Sequence, residues 1–120
     1  MARILALDDE EDICRLVERV LACSGHEVTA FTRAVEVMDW LRSHNPDLAL
    51  LDFNLRGENG LRVLRYIRQN NPGVKVIIIT GQPSQESRVK AFEMGIEDYL
   101  LKPLEIGALE HHVNKALGLI

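Results

Sequence analysis

Apolar and polar positions alternate in two periods along the chain. Ile4 to Leu7 form a short continuous apolar run, as a buried strand does. Ile13, Leu16, Val17, Val20 and Leu21 then recur at helical spacing, and Gly25 follows as a stop. Val28 to Phe31 read as a second strand. Val35, Met38 and Leu41 mark a second helix, closed by Asn45-Pro46. Leu48 to Leu51 form a third strand. Leu61, Leu64 and Ile67 mark a third helix, ending near Asn71-Pro72-Gly73. Val74 to Ile79 are the most β-branched run and are expected to be the central strand. Pro83 stands near the start of a fourth helix, where its missing N–H costs little. That helix carries Val89 and Phe92 and stops at Gly95. Tyr99 to Leu101 make a fifth strand, and Ile106, Leu109, Val113 and Leu117 mark the last helix. Five β-α alternations imply a doubly wound parallel sheet with helices on both faces. In such sheets ligands bind at the carboxyl ends of the strands.

Length and composition fit one ordinary domain, taken as residues 1–120 with no output domain. The 120 residues suffice for a core; 47% are apolar and 27% charged. The net charge of −4, with acids and bases scattered, gives no support for direct nucleic-acid binding. No apolar run reaches the ~18–20 residues of a membrane span. Met1-Ala2-Arg3 leads straight into a strand with no cleavage site, so no secretory signal is expected. Cys14 and Cys23 make neither a Cys-x-x-Cys pair nor a disulfide framework; they read as thiols in a reducing cytoplasm.

The chemistry collects at strand ends. Leu5-Ala6-Leu7 runs into Asp8-Asp9, and Leu50-Leu51 into Asp52. Ile77-Ile78-Ile79 runs into Thr80-Gly81, and Tyr99-Leu100-Leu101 into Lys102-Pro103. In a parallel sheet these ends share one edge, so the groups can converge. Asp8, Asp9 and Asp52 would place about three negative charges in one crevice, which calls for a cation. Hard oxygen ligands suit Mg²⁺, and Lys102 adds one positive charge. Acids also favour the first turn of a helix, which accounts for Glu10, Glu11 and Asp12 as solvated residues. It accounts less well for two acids at the very end of an apolar strand.

The four histidines have no partners at ligand spacing. His26 and His44 read as loop or helix-end residues, and His111-His112 as partly solvated helix positions. Trp40 reads as packed on its helix.

Together, Leu7-Asp8-Asp9, Leu51-Asp52, Ile79-Thr80-Gly81 and Asp98-Tyr99-Leu100-Leu101-Lys102-Pro103 resemble the receiver domain of two-component response regulators over the whole chain. The resemblance implies a flavodoxin-like fold with strand order 2-1-3-4-5. It implies that Asp52 is the phosphoacceptor for a sensor histidine kinase or phosphotransfer protein. Asp9, Asp52 and the backbone carbonyl of Asn54 would ligate Mg²⁺, with Asp8 acting mainly through water. Lys102 and Thr80 would bind phosphoryl oxygens, and small Gly81 would leave access to Asp52. The Lys102-Pro103 bond is expected to be cis. Thr80 and Tyr99 would form the switch, changing the surface of the fourth helix, fifth strand and fifth helix for an output domain or partner protein. Such a domain promotes its own phosphorylation and dephosphorylation but does not turn over an external substrate.

Some positions depart from the family's pattern or tune it. Arg56 replaces a frequent proline, so the loop after Asp52 is expected to be looser. Asn54 and Gln82 occupy positions that tune phosphate lifetime. A phosphorylation-dependent homodimer is compatible with the family. The last helix, with Glu110, His111, His112, Asn114 and Lys115, lacks the arginines that one DNA-binding subfamily uses to dimerise.

Two other classes fit less well. A phosphatase of the haloacid dehalogenase type wants Asp-x-Asp after its first strand, whereas this chain has Asp8-Asp9-Glu10. A flavin- or nucleotide-binding module needs a glycine- or hydroxyl-rich phosphate loop there.

Overall fold

The structure, a computed structural model, describes residues 1–55 and 58–120. The expectation for Arg56 lies outside the described residues. In chain order the elements are β1 (Arg3–Leu7), α1 (Glu11–Cys23), β2 (Glu27–Phe31), α2 (Ala34–Leu41), β3 (Leu48–Asp52), β4 (Asn54–Leu55), β5 (Glu58–Asn59), α3 (Gly60–Asn70), β6 (Lys75–Thr80), α4 (Gln85–Glu93), β7 (Asp98–Leu101) and α5 (Ile106–Ala116). Five strands pair in parallel in the order β2-β1-β3-β6-β7, and β4-β5 form a separate two-residue antiparallel ribbon. Counting the sheet's strands alone, the order is 2-1-3-4-5, as the resemblance implied. The β-branched run is not central: β3 holds the middle, and β6 lies between it and β7. Its composition reflects burial on both faces, which β3 shares.

The strand period of two splits the core into halves. Leu5, Leu7, Ala49, Leu51, Val76 and Ile78 point to one side, onto Val37 and Leu41 of α2 and Val63, Leu64 and Ile67 of α3. Ile4, Ala6, Leu48, Leu50, Ile77 and Ile79 point to the other, onto Val17 and Leu21 of α1 and Leu109 and Val113 of α5. Strands buried on both faces cannot slip by one residue without exchanging their packing partners. This holds the carboxyl ends of β1, β3 and β6 in a fixed relation.

Helix α4 departs from the periodic reading. Ala91 is its one buried position among those assigned to the core, whereas Val89 and Phe92 are exposed. The apolar pair Val89-Phe92 marks the outer side of this short helix, and the small alanine marks the inner one. Arg88 lies over the Phe92 ring, 5.5 Å from its centroid. Ile106 of α5 and Leu101 of β7 are also exposed, beside this helix in the fold order. Gly25 and Gly95 end α1 and α4 with φ of 86° and 78°, a conformation glycine adopts without steric penalty.

Arg68 ties the opposite end of the molecule together. Its guanidinium donates to the carbonyls of Met94 (2.6 Å), Val74 (2.7 Å), Gly95 (3.0 Å) and Pro72 (3.4 Å), joining the ends of α3 and α4 to the start of β6. His26 is buried, not merely a loop residue. Its Nδ1 accepts from the Ala2 N–H (3.2 Å), so Nε2 donates to Asn114 Oδ1 (3.0 Å) and pins α5 to β1. Trp40 stacks on His44 at 4.4 Å.

Candidate functional site

Each functional group stands where its strand ends. Asp52 is the last residue of β3, and Thr80 is the last of β6. Asp8 follows β1, and its N–H donates to the Phe31 carbonyl (3.1 Å). Lys102 follows β7, and its N–H donates to the Thr80 carbonyl (2.8 Å), so parallel pairing continues one step past the strand. The Lys102-Pro103 peptide bond is cis.

The lysine binds the acids together. Its Nζ lies 2.8 Å from Asp8 Oδ2, 3.1 Å from Asp52 Oδ2 and 3.7 Å from Glu10 Oε1. Asp52 is 2% exposed and Asp8 5%. Buried carboxylates are costly unless paired and hydrogen-bonded. The remaining oxygens are accordingly occupied: Asp52 Oδ1 accepts the Asn54 N–H (2.9 Å), and Asp8 Oδ1 accepts the Glu10 N–H (3.0 Å). Burial pushes the Asp8 carboxyl above its usual range despite the Lys102 contact. Burial alone would lower the Lys102 ammonium. Hydrogen bonds to Asp8 and Asp52, with their charges, outweigh that and hold it above its ordinary value.

Thr80 is buried at 1% exposure. Its Oγ1 accepts the Gln82 N–H (3.1 Å) and a short hydrogen bond from Asn54 Nδ2. Gly81 has room above it. A Cβ there would meet only the Lys102 stem, at 3.7 and 3.8 Å, which is ordinary contact. Gly60 has none. A Cβ there would overlap the Asp52 carbonyl oxygen and lie 2.8 Å from Phe53 Cα.

Asp8, Asp9 and Glu10 present carboxylate oxygens within 4.8 Å of one another, the one such group of three among the described residues. All are hard oxygen donors at the crevice that holds Asp52 and Lys102. Mg²⁺ suits that chemistry; a soft metal does not.

Four contributions escape the periodic reading. Glu10, read as a solvated helix-start residue, reaches toward Lys102. The Asn54 side chain, named by resemblance as a tuning position, reaches Thr80, a partner the periodicity does not indicate. Gly60 lets α3 approach the backbone of Asp52. The Tyr99 hydroxyl finds a partner the periodicity does not indicate, sharing a hydrogen bond with Ser87 Oγ of α4 (3.1 Å). His112 also has a close neighbour, Asp98 Oδ2 at 2.5 Å. The Asn54 and Ser87 contacts join residues 26 and 12 positions apart, distances at which local pattern carries no signal.

A doubly wound α/β domain with two acid-bearing strand ends, a hydroxyl and a lysine converging at one edge defines the receiver class. The sequence model described as "Response regulator receiver domain" matches residues 4–114, and the chain belongs to that family. It is 35% identical over 115 residues to the DNA-binding transcriptional regulator NtrC of Escherichia coli K12. That match covers 96% of this chain and 24% of NtrC, so the chain spans about a quarter of that relative's length. The transcriptional regulatory protein ZraR of the same organism is 32% identical over 96% of this chain and 26% of its own length. Among solved structures, a response regulator receiver domain protein (CheY-like) from Methanospirillum hungatei JF-1 superposes with a TM-score of 0.94 at 29% identity, covering 98% of this chain and 94% of that one. NtrX from Brucella abortus superposes at 0.89 with 33% identity, over 98% of this chain and 27% of its own. The chain is therefore a signalling domain of two-component regulators. No helix among the described residues is long and apolar enough to cross a membrane.

Proposed function

We propose that this domain is a phosphorylation-dependent switch with Asp52 as the phosphoacceptor. The observation that carries the reading is the Lys102 ammonium shared between Asp8 and Asp52, with the Thr80 hydroxyl on the next strand end. A buried carboxylate paired with a fixed cation, with a hydroxyl at the neighbouring strand end, is arranged as a nucleophile.

An Asp52 carboxylate oxygen attacks the phosphorus of a phosphohistidine on a sensor kinase or phosphotransfer protein. The new P–O bond forms as the P–N bond breaks, and the histidine leaves with the electron pair. Lys102 follows the charge from the carboxylates to a phosphoryl oxygen, and the Thr80 hydroxyl donates to another. Asp9, Asp52 and the Asn54 carbonyl would hold Mg²⁺, with Asp8 through water. When bound, the ion neutralises charge that builds on the transferring group.

Phosphorylation replaces one negative charge by nearly two, and Thr80 moves toward it. Tyr99 turns into the vacated space, and the α4-β7-α5 surface changes. Val89, Phe92, Leu101 and Ile106 are exposed there, which supports that surface as the one read by an output domain or partner. The relatives' designations as transcriptional regulators support transcriptional control as the output.

The test is acetyl phosphate with Mg²⁺ followed by intact-mass spectrometry. One phosphoryl group is expected on the native chain and none on Asp52→Asn. Equal labelling of the two would overturn the assignment.

A further inference from the structure

Asn54 joins the two halves of the site. Its backbone N–H donates to Asp52 Oδ1 at 2.9 Å. Its side chain reaches across to the neighbouring strand end and hydrogen-bonds Thr80 Oγ1. The same Nδ2 lies 3.5 Å from the Gln82 carbonyl. A backbone carbonyl can only accept, so the nitrogen end of the amide faces both partners. Together with the Gln82 N–H at 3.1 Å, this occupies both acceptor positions of the Thr80 hydroxyl. The Thr80 side chain is thus held by two donors.

We infer that Asn54 is a positioning residue: its side-chain amide latches Thr80 in the resting geometry and so opposes the phosphorylated state. The inference rests on Asp52 being the phosphoacceptor and deepens that reading. A Thr80 hydroxyl that turns to donate to a phosphoryl oxygen gives up the Asn54 contact. The freed amide has an alternative acceptor within reach, the Gln82 carbonyl, and solvent, since Asn54 is exposed. The exchange is between two satisfied arrangements. That makes it an equilibrium bias rather than a lock. A neutral hydrogen bond whose loss is partly made good shifts such an equilibrium about fivefold.

Two measurements test it, with Thr80→Val as the reference background because valine keeps the shape and lacks the hydroxyl. In metal-free resting protein, three-bond couplings report the Thr80 χ1 rotamer. Asn54→Ala should convert a single rotamer into an average. With Mg²⁺ and beryllofluoride as the probe, Asn54→Ala should tighten the apparent dissociation constant about fivefold, as release of a resting-state restraint requires. In Thr80→Val the same substitution should change it less than about twofold, the non-additivity of a direct contact. An unaltered Thr80 rotamer, or an equal affinity change in both backgrounds, overturns the latch. If the native chain binds beryllofluoride and Asn54→Ala binds identically, the latch alone is wrong. If the native chain binds none, the phosphoacceptor reading fails and takes the latch with it.

Discussion

Gly60→Ala and Gly81→Ala make the same chemical change on either side of the site, and the structure assigns them opposite outcomes. At Gly60 the new methyl would overlap the Asp52 carbonyl oxygen and press Phe53 Cα at 2.8 Å and Phe53 Cδ1 at 2.9 Å. Two of these three neighbours are backbone, so no rotamer change relieves them. Either α3 lifts from the sheet or the segment carrying Asp52 shifts. Overpacking of this kind costs roughly 1–3 kcal/mol. Replacing glycine in the first helical turn returns up to about 1 kcal/mol through propensity and the unfolded chain. Because two of the overlapped atoms are backbone, the upper part of that range, about 2–3 kcal/mol, applies, and the net loss is about 1–2 kcal/mol. Unfolding entropy near 2.1 cal/mol/K per residue over a chain of this size turns that into a Tm drop of about 4–8 °C.

A displaced Asp52 should also slow labelling by acetyl phosphate, because about 1 Å at a nucleophile can cost on the order of 10²-fold. At Gly81 the methyl would rest on the Lys102 stem at ordinary contact distance. Stability there should change by less than about 1 kcal/mol. The assays are denaturant unfolding and the initial rate of intact-mass labelling, run on both variants. A Gly60→Ala protein as stable and as rapidly labelled as the native chain would refute the reasoning. So would a Gly81→Ala protein that suffers equally.

Three further outcomes follow from the geometry. Asp9→Ala should weaken Mg²⁺ binding much more than Glu11→Ala; equal losses in a metal titration would reduce the acid run to a solvated helix start. Arg68→Ala should destabilise by about 2–4 kcal/mol in urea unfolding, because it leaves carbonyls of Met94, Val74 and Gly95 without their donor; a loss below about 0.5 kcal/mol would contradict this. Asp8 holds its proton above its ordinary 3.8 when folded and releases it there when unfolded. The folded state therefore binds more protons in the interval just above 3.8, and this group's contribution falls as pH rises through it. Relative to the native chain, metal-free Asp8→Ala should lose that falling component in urea midpoints as pH rises above 3.8; parallel profiles would contradict the shift.

Much of the fold is local in origin and legible in the sequence. Strand burial appears as continuous apolar runs, helix faces as three-four spacing, and five alternations leave few right-handed topologies. The site is legible for the same reason. Asp8, Asp52, Thr80 and Lys102 each sit one step from an apolar run, and parallel pairing must bring those steps to one edge. The reading failed where the decisive neighbour is remote. Nothing in the run of residues 85–93 says that Ala91 faces the sheet while Val89 and Phe92 face out, because nine residues sample the helical period too few times.

The sequence by itself determined which groups reach the edge, since strand and loop boundaries are written in local polarity. Only the tertiary structure decided how those groups meet. It placed Lys102 between Asp8 and Asp52, brought the Asn54 amide onto Thr80 and the Ser87 hydroxyl onto Tyr99, and left Gly60 no room for a methyl. Most of these are contacts between strand ends and helices or loops well separated in the chain. Their distances are set by the packing of helices on both faces of one sheet, and no periodicity along the chain encodes that packing.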